Sequence, residues 1–199
     1  MCDTLLVRCP DAGAADRDLR SDVGRLAGSS AVTIERTRAY RALQDSEIYA
    51  YFELAQPREL GADDRDGFAA AARGFPALPA GALSVARLQR MFEPAAASAG
   101  QPAPFHYVVE MDPADGWRDE LLRWYDTEHM PGLAAVAGCV RAQRFVNHDH
   151  GPWSLACYDL VRPETTAAPD WLAVRATAWS DRVRPQFRNP KRTMVRSVY

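Results

Sequence analysis

The chain has 199 residues, 24 basic against 26 acidic side chains, and is 47% hydrophobic. That is ordinary globular composition, which excludes collagen-like, coiled-coil and disordered chains and leaves enough apolar surface for a self-sufficient core. The formal charge of −2 carries no polyanion footprint, so no nucleic-acid partner is expected.

In chain order, the first half predicts strand 4–8, helix 15–26, strands 31–43 and 47–55, helix 63–73 and strand 83–92. Residues 93–104 (EPAAASAGQPAP) have no periodicity that could pack and read as a linker. The second half predicts strand 105–111, helix 117–130, strands 140–147 and 153–161, helix 169–183 with Pro169 in its first turn, and strand 191–199. The expected domains are therefore 1–92, linker 93–104, and 105–199.

The halves also match faintly. Arg38-Ala39-Tyr40-Arg41 aligns with Arg141-Ala142-Gln143-Arg144 at an offset of 103, and Ala50-Tyr51-Phe52-Glu53-Leu54 with Ala156-Cys157-Tyr158-Asp159-Leu160 at 106. The extra residues fall in the loop His148-Asp149-His150-Gly151-Pro152, where a hairpin tolerates insertion. The predicted fold class is α+β: two tandem ferredoxin-like βαββαβ units with antiparallel sheets. Burying their uncovered faces against each other makes an intrachain dimeric α+β barrel, a pseudo-dimer in one chain. A homodimer of the whole chain is left open.

The N-terminal MCDTLLVRCPD lacks a basic region, so no secretory signal is expected, and no stretch approaches the ~20 apolar residues that span a bilayer. Cys2, Cys9, Cys139 and Cys157 form no C-x-x-C pair and have no histidine at metal-ligand spacing. A cytoplasmic protein with reduced thiols is expected, with no membrane partner and no bound metal. His148 and His150 form an x-His-x-His loop that would need further ligands to hold a metal. A solvent-facing turn is the expectation, a lid the alternative.

In the segment WRDELLRWYDTEHMPG, Trp117, Leu121, Trp124 and Glu128 form one helical line, so Glu128 continues a stripe that should pack on the sheet. A carboxylate there is a site candidate. Alternatively it meets an arginine at the sheet margin, or the helix frays and the residue faces water. Arg141 and Arg144 should point to opposite faces of one strand, with Arg144 the inward one; a plain surface pair is the competing reading.

Trp124-Tyr125-Asp126-Thr127-Glu128-His129-Met130-Pro131, followed by Gly138-Cys139-Val140-Arg141-Ala142 and Arg144-Phe145, resembles the EthD-like branch of the dimeric α+β barrel superfamily. Trp179-Ser180, Asn189-Pro190 and Tyr199 are in keeping with it. The resemblance covers 105–199. The first half has no Glu-His-x-Pro and looks like a degenerate copy without a second site. The resemblance implies an apolar pocket between sheet and helices, and cofactor-independent chemistry on small or cyclic organic substrates.

His129 has an unperturbed pKa near neutrality and sits where Pro131 should break the helix, a natural pocket rim. It is the candidate general acid or base, with Glu128 as a second acid or the anchor of an arginine, Arg144 among the choices. Arg144 is also a candidate stabiliser of an enolate or carboxylate. Trp124, Tyr125, Tyr107 and Tyr158 complete the candidate substrate-binding set; Tyr107 and Tyr158 could present hydroxyls to a cavity. Trp153, Trp171 and Trp179 are read as core, with Leu172, Ala176, Trp179 and Val183 lining one helical face. Arg182, Arg184, Arg188, Lys191, Arg192 and Arg196 crowd the C-terminal region and read as solvated positions, with an anion site as the alternative. The expected function is a cofactor-independent lyase, isomerase or cyclase acting on a small, mostly apolar carbonyl or cyclic compound. The rivals are a non-catalytic ligand-binding or interaction protein and a cofactor-free monooxygenase. No cofactor is expected.

Overall fold

A computed structural model describes residues 1–79 and 81–199. They divide into two compact units, residues 1–89 with 195–199, and residues 90–194.

The first unit runs β1 (Cys2–Pro10), α1 (Asp16–Ser29), β2 (Ile34–Ala42), β3 (Glu47–Arg58), α2 (Ala62–Ala72) and β4 (Ser84–Phe92). Its strands pair antiparallel in the order β4-β1-β3-β2. Alternation directs Leu5, Val7 and Cys9 of β1 to one face, with Ile48, Ala50 and Phe52 of β3. That face packs on Leu19, Val23 and Leu26 of α1, spaced four and three residues apart, and on Phe68, Ala69 and Ala72 of α2. Residues 195–197 of the last strand extend this sheet at the β2 edge, Val195 opposite Ala42 and Ser197 opposite Tyr40.

The second unit begins with β5 (Phe105–Pro113) and α3 (Arg118–Trp124), which passes through a π-helical turn (Tyr125–His129) into α4 (Met130–Ala134). It continues with β6 (Cys139–Asn147), β7 (Ser154–Leu160), α5 (Pro169–Arg175), α6 (Ala178–Val183) and β8 (Phe187–Ser197). Its sheet order is β8-β5-β7-β6, and β5 pairs antiparallel with β7 so that Tyr107 lies opposite Tyr158. Tyr107 and Val109 of β5, with Ala156, Tyr158 and Leu160 of β7, face the helices. Residues 93–104 hold no helix or strand, yet they are pinned to this unit. The Ala97 amide donates to the Ala134 carbonyl (2.9 Å), and the buried Ser98 hydroxyl accepts from the Gly138 amide (2.9 Å).

Two predicted helices differ from the observed ones. Helix 117–130 does not end at Pro131. Its hydrogen-bond ladder switches to i→i−5 spacing, with the Met130 amide donating to the Tyr125 carbonyl, and the chain runs on through Pro131 into α4. Helix 169–183 is broken at Thr177, whose extended backbone and hydroxyl cap the Ser180 amide (3.0 Å) and restart the chain as α6. The expected stripe is not formed: Trp171 is buried, whereas Leu172 is 47% exposed. Among the described residues no helix is long and apolar enough to cross a membrane.

Candidate active site

The π turn decides which side chain follows Trp124 onto the buried face. In a regular α-helix, position 128 would continue the Trp117–Leu121–Trp124 line. One extra residue in the turn delays that line, and His129 takes the place. Its imidazole stacks on the Trp124 indole, centroids 4.1 Å apart and planes 23° from parallel, and meets the Tyr125 ring edge-on at 5.6 Å. The expectation that Glu128 joins the buried stripe is therefore corrected. Glu128 is half-buried, accepts a hydrogen bond from the Thr177 hydroxyl (2.6 Å) and lies off the pocket.

His129 opens onto a pocket lined by Tyr107, Val109, Trp124, Tyr125, Leu133, Tyr158, Trp171 and Phe187, with Arg175, Arg184 and Arg192. All belong to the second unit. The cavity volume is about 30 Å³, room for one water-sized molecule, and free space reaches about 360 Å³ when the open mouth is counted. The aromatic walls brace one another: Tyr158 and Trp171 meet edge to face at 5.1 Å, and Tyr107 and Trp171 at 6.4 Å. The Tyr158 hydroxyl donates to the Met130 sulfur at 3.0 Å.

Electrostatics follow from this burial. Desolvation, reinforced by the positive charges of Arg175 and Arg184, pulls the His129 pKa down to about 3. The imidazole of the empty pocket is therefore neutral across the physiological range, its pKa moved well below the unperturbed value. In the empty pocket it is poised to accept a proton, since the imidazolium that would act as a general acid is disfavoured. Burial raises the phenol pKa of Tyr107, Tyr125 and Tyr158, so all three stay protonated. Two polar atoms of the stacked pair, His129 Nδ1 and Trp124 Nε1, are buried without a hydrogen-bond partner. Orphaned polar atoms beside a cavity are what a ligand would satisfy.

Of the candidate residues, the structure brings together His129, Trp124, Tyr125, Tyr107 and Tyr158 and leaves Glu128 and Arg144 outside. Arg144 does point inward, with its side chain 1% exposed, but Asp126 holds its guanidinium through three contacts of 2.8–3.1 Å. Arg144 braces the π turn against β6 and does not line the cavity. Arg141 pairs instead with Glu93 (2.8 Å). His148 and His150 are exposed on a turn that Asn147 closes by donating to the carbonyls of His150 and Pro152.

Sequence reasoning missed Trp171 and Arg175 as pocket walls and set Arg184 and Arg192 among solvated positions. The signal lay in α5, where Trp171 and Arg175 are four residues apart and share one helical face. The first unit contains a larger hollow, about 370 Å³, over Leu5, Val32, Leu60 and Phe68. Its ionisable lining is Asp63 and Asp64, and Asp64 is occupied in capping the Gly61 amide (2.7 Å).

This architecture is that of the ferredoxin-like proteins of the dimeric α+β barrel type, the α+β fold class expected from the sequence. Three solved structures show the likeness. An anthrone oxidase-like protein superposes with a TM-score of 0.67 at 11% identity, covering 100% of this chain and 92% of its own. A candidate monooxygenase from Fusobacterium nucleatum gives 0.64 at 10% identity, covering 100% and 93%. A candidate chlorite dismutase gives 0.62 at 12% identity, covering 100% and 96%. At these identities the likeness establishes the fold alone. No family model matches the chain, and no curated protein matches its sequence.

Proposed function

We propose that this protein is an enzyme that uses His129 to remove a proton from a planar, cyclic carbonyl or phenolic compound and passes the resulting anion to molecular oxygen. The observation that carries the reading is the neutral, unpartnered imidazole stacked on Trp124 inside an aromatic pocket. Flat apolar walls suit a ring, and the buried Trp124 N–H is a donor for the oxygen on which charge develops. Weak basicity in the empty site is compatible with this role. A bound anion offsets the fields of Arg175 and Arg184 and raises the basicity of the ring beside it.

The balance is that of a monooxygenation. A ring methylene gives one proton to His129, and the carbanion gives its electrons to oxygen. Loss of the second hydrogen then leaves a ring carbonyl, one oxygen atom ending there and the other in water. The names of the fold neighbours, an anthrone oxidase-like protein and a candidate monooxygenase, favour oxygenation over a lyase or isomerase reaction. In this reading the second unit is the EthD-like copy and the first its degenerate partner.

Anthrone is the test substrate. Oxygen uptake should match anthraquinone formed one to one and exceed the uncatalysed rate, and His129→Ala should lower turnover by about a hundredfold or more, with the far-ultraviolet spectrum unchanged. Turnover that survives in His129→Ala would remove the base from the mechanism. Substrate conversion without oxygen uptake would return the protein to the lyase or isomerase class, and ligand binding without conversion to the binding class.

A further inference from the structure

Arg175 at the end of α5, Arg184 in the turn after α6 and Arg192 in β8 converge on the mouth of the His129 pocket. Several buried or half-buried arginines are answered by carboxylates: Arg38 by Glu53, Arg41 by Asp16, Arg144 by Asp126. Even Arg182, two residues from Arg184, pairs with Glu120. Among the described residues, none of Arg175, Arg184 and Arg192 forms a salt bridge; Asp181 acts on Arg184 only through its field. Arg184 and Arg175 are half-buried, and the Arg184 guanidinium is steadied by donating to the Arg175 carbonyl (3.3 Å). Three like charges around one opening repel each other, and Arg184 loses basicity through burial and through Arg175 and Arg192. The second independent feature is the orphaned, more than nine-tenths buried His129 Nδ1 at the floor of the same pocket.

We infer that this mouth is a carboxylate subsite, and that the substrate is an aromatic acid whose ring lies in the open part of the pocket against its aromatic walls while its permanent carboxylate stays among Arg175, Arg184 and Arg192. The inference rests on the proposed use of the pocket as the substrate site and adds the charge class of the substrate. Guanidinium groups match a carboxylate in shape and in hydrogen-bond donors, and at a partly dehydrated rim such contacts discriminate strongly against a neutral isostere. The mouth is still wet, so the discrimination should weaken as salt is added.

The experiment compares binding of 2-naphthoate and of naphthalene-2-carboxamide to the intact protein, by calorimetry and by quenching of tryptophan fluorescence. The acid should bind about tenfold more tightly than the amide at low ionic strength. That ratio should fall toward one in Arg184→Gln/Arg192→Gln, which changes only half-buried and exposed side chains, and should persist in His129→Ala. Equal affinities in the wild type, or a preference that survives with all three arginines replaced by glutamine, would overturn the carboxylate subsite and leave the proton-abstraction reading intact. Binding of neither compound would overturn both. A preserved charge preference with no oxygen uptake would uphold the subsite and sink the oxygenase.

Discussion

Trp124 and His129 are five residues apart in sequence, yet their rings stack at a centroid distance of 4.1 Å. That pairing exists because the turn between them is π-helical, which places residue i+5 where i+4 would otherwise stand. The same extra residue moves Glu128 off the buried stripe and leaves it to the Thr177 hydroxyl. A single unit of helical pitch thus exchanges a carboxylate for an imidazole at the pocket.

The buried imidazole should tie stability to pH. Its folded pKa, about 3, lies below the unfolded value near 6.5, so the unfolded chain binds the extra proton between those limits. Stability from this group is therefore complete above about pH 6.5 and declines as pH falls toward 3, with a slope approaching about 1.4 kcal/mol per pH unit. Urea unfolding of the wild type and of His129→Phe at pH 7, 6, 5 and 4 measures it. The variant should show the shallower acid limb, and parallel limbs would mean that the ring is not desolvated as described.

The Arg144–Asp126 pair should behave as a buried charge with one answering partner. The Arg144 side chain is 1% exposed and Asp126 37% exposed, and Arg144 Nη1 already lacks a hydrogen bond. Asp126→Ala strands the guanidinium and should cost about 2–3 kcal/mol, less than for a fully buried pair because water reaches the carboxylate side. Arg144→Met combined with Asp126→Ala should recover most of that loss. Chemical denaturation of the single and double variants gives the coupling, and a double variant no better than Asp126→Ala would refute the account.

Gly138, in the turn between α4 and β6, stands against Thr165. Its φ is +93°, and a Cβ there would stand 2.7 Å from the Thr165 hydroxyl. Gly138→Ala should lose about 2 kcal/mol from backbone strain together with that clash. Adding Thr165→Ala should return only the steric part, leaving the cost of the left-handed conformation. Thermal unfolding of the three proteins separates the two contributions.

Much of the fold was legible in the chain. Alternating runs such as FHYVVEM and the 19–23–26 apolar spacing of α1 specify elements locally, because period and turn chemistry act over a few residues. The Trp124-to-Pro131 motif likewise singles out His129, Trp124 and Tyr125, which line one pocket. What tertiary structure alone decided was orientation and company. An i→i−5 bond, invisible in residue spacing, chose His129 over Glu128. Packing turned Trp171 rather than Leu172 inward, and it gathered Arg175, Arg184 and Arg192 around one opening while handing Arg144 to Asp126. Helix periodicity reports which way a side chain points only while the helix stays regular. Which charges face each other depends on contacts between residues far apart in the chain, and so does the neutral state of His129, set by burial and by two arginines some fifty residues away.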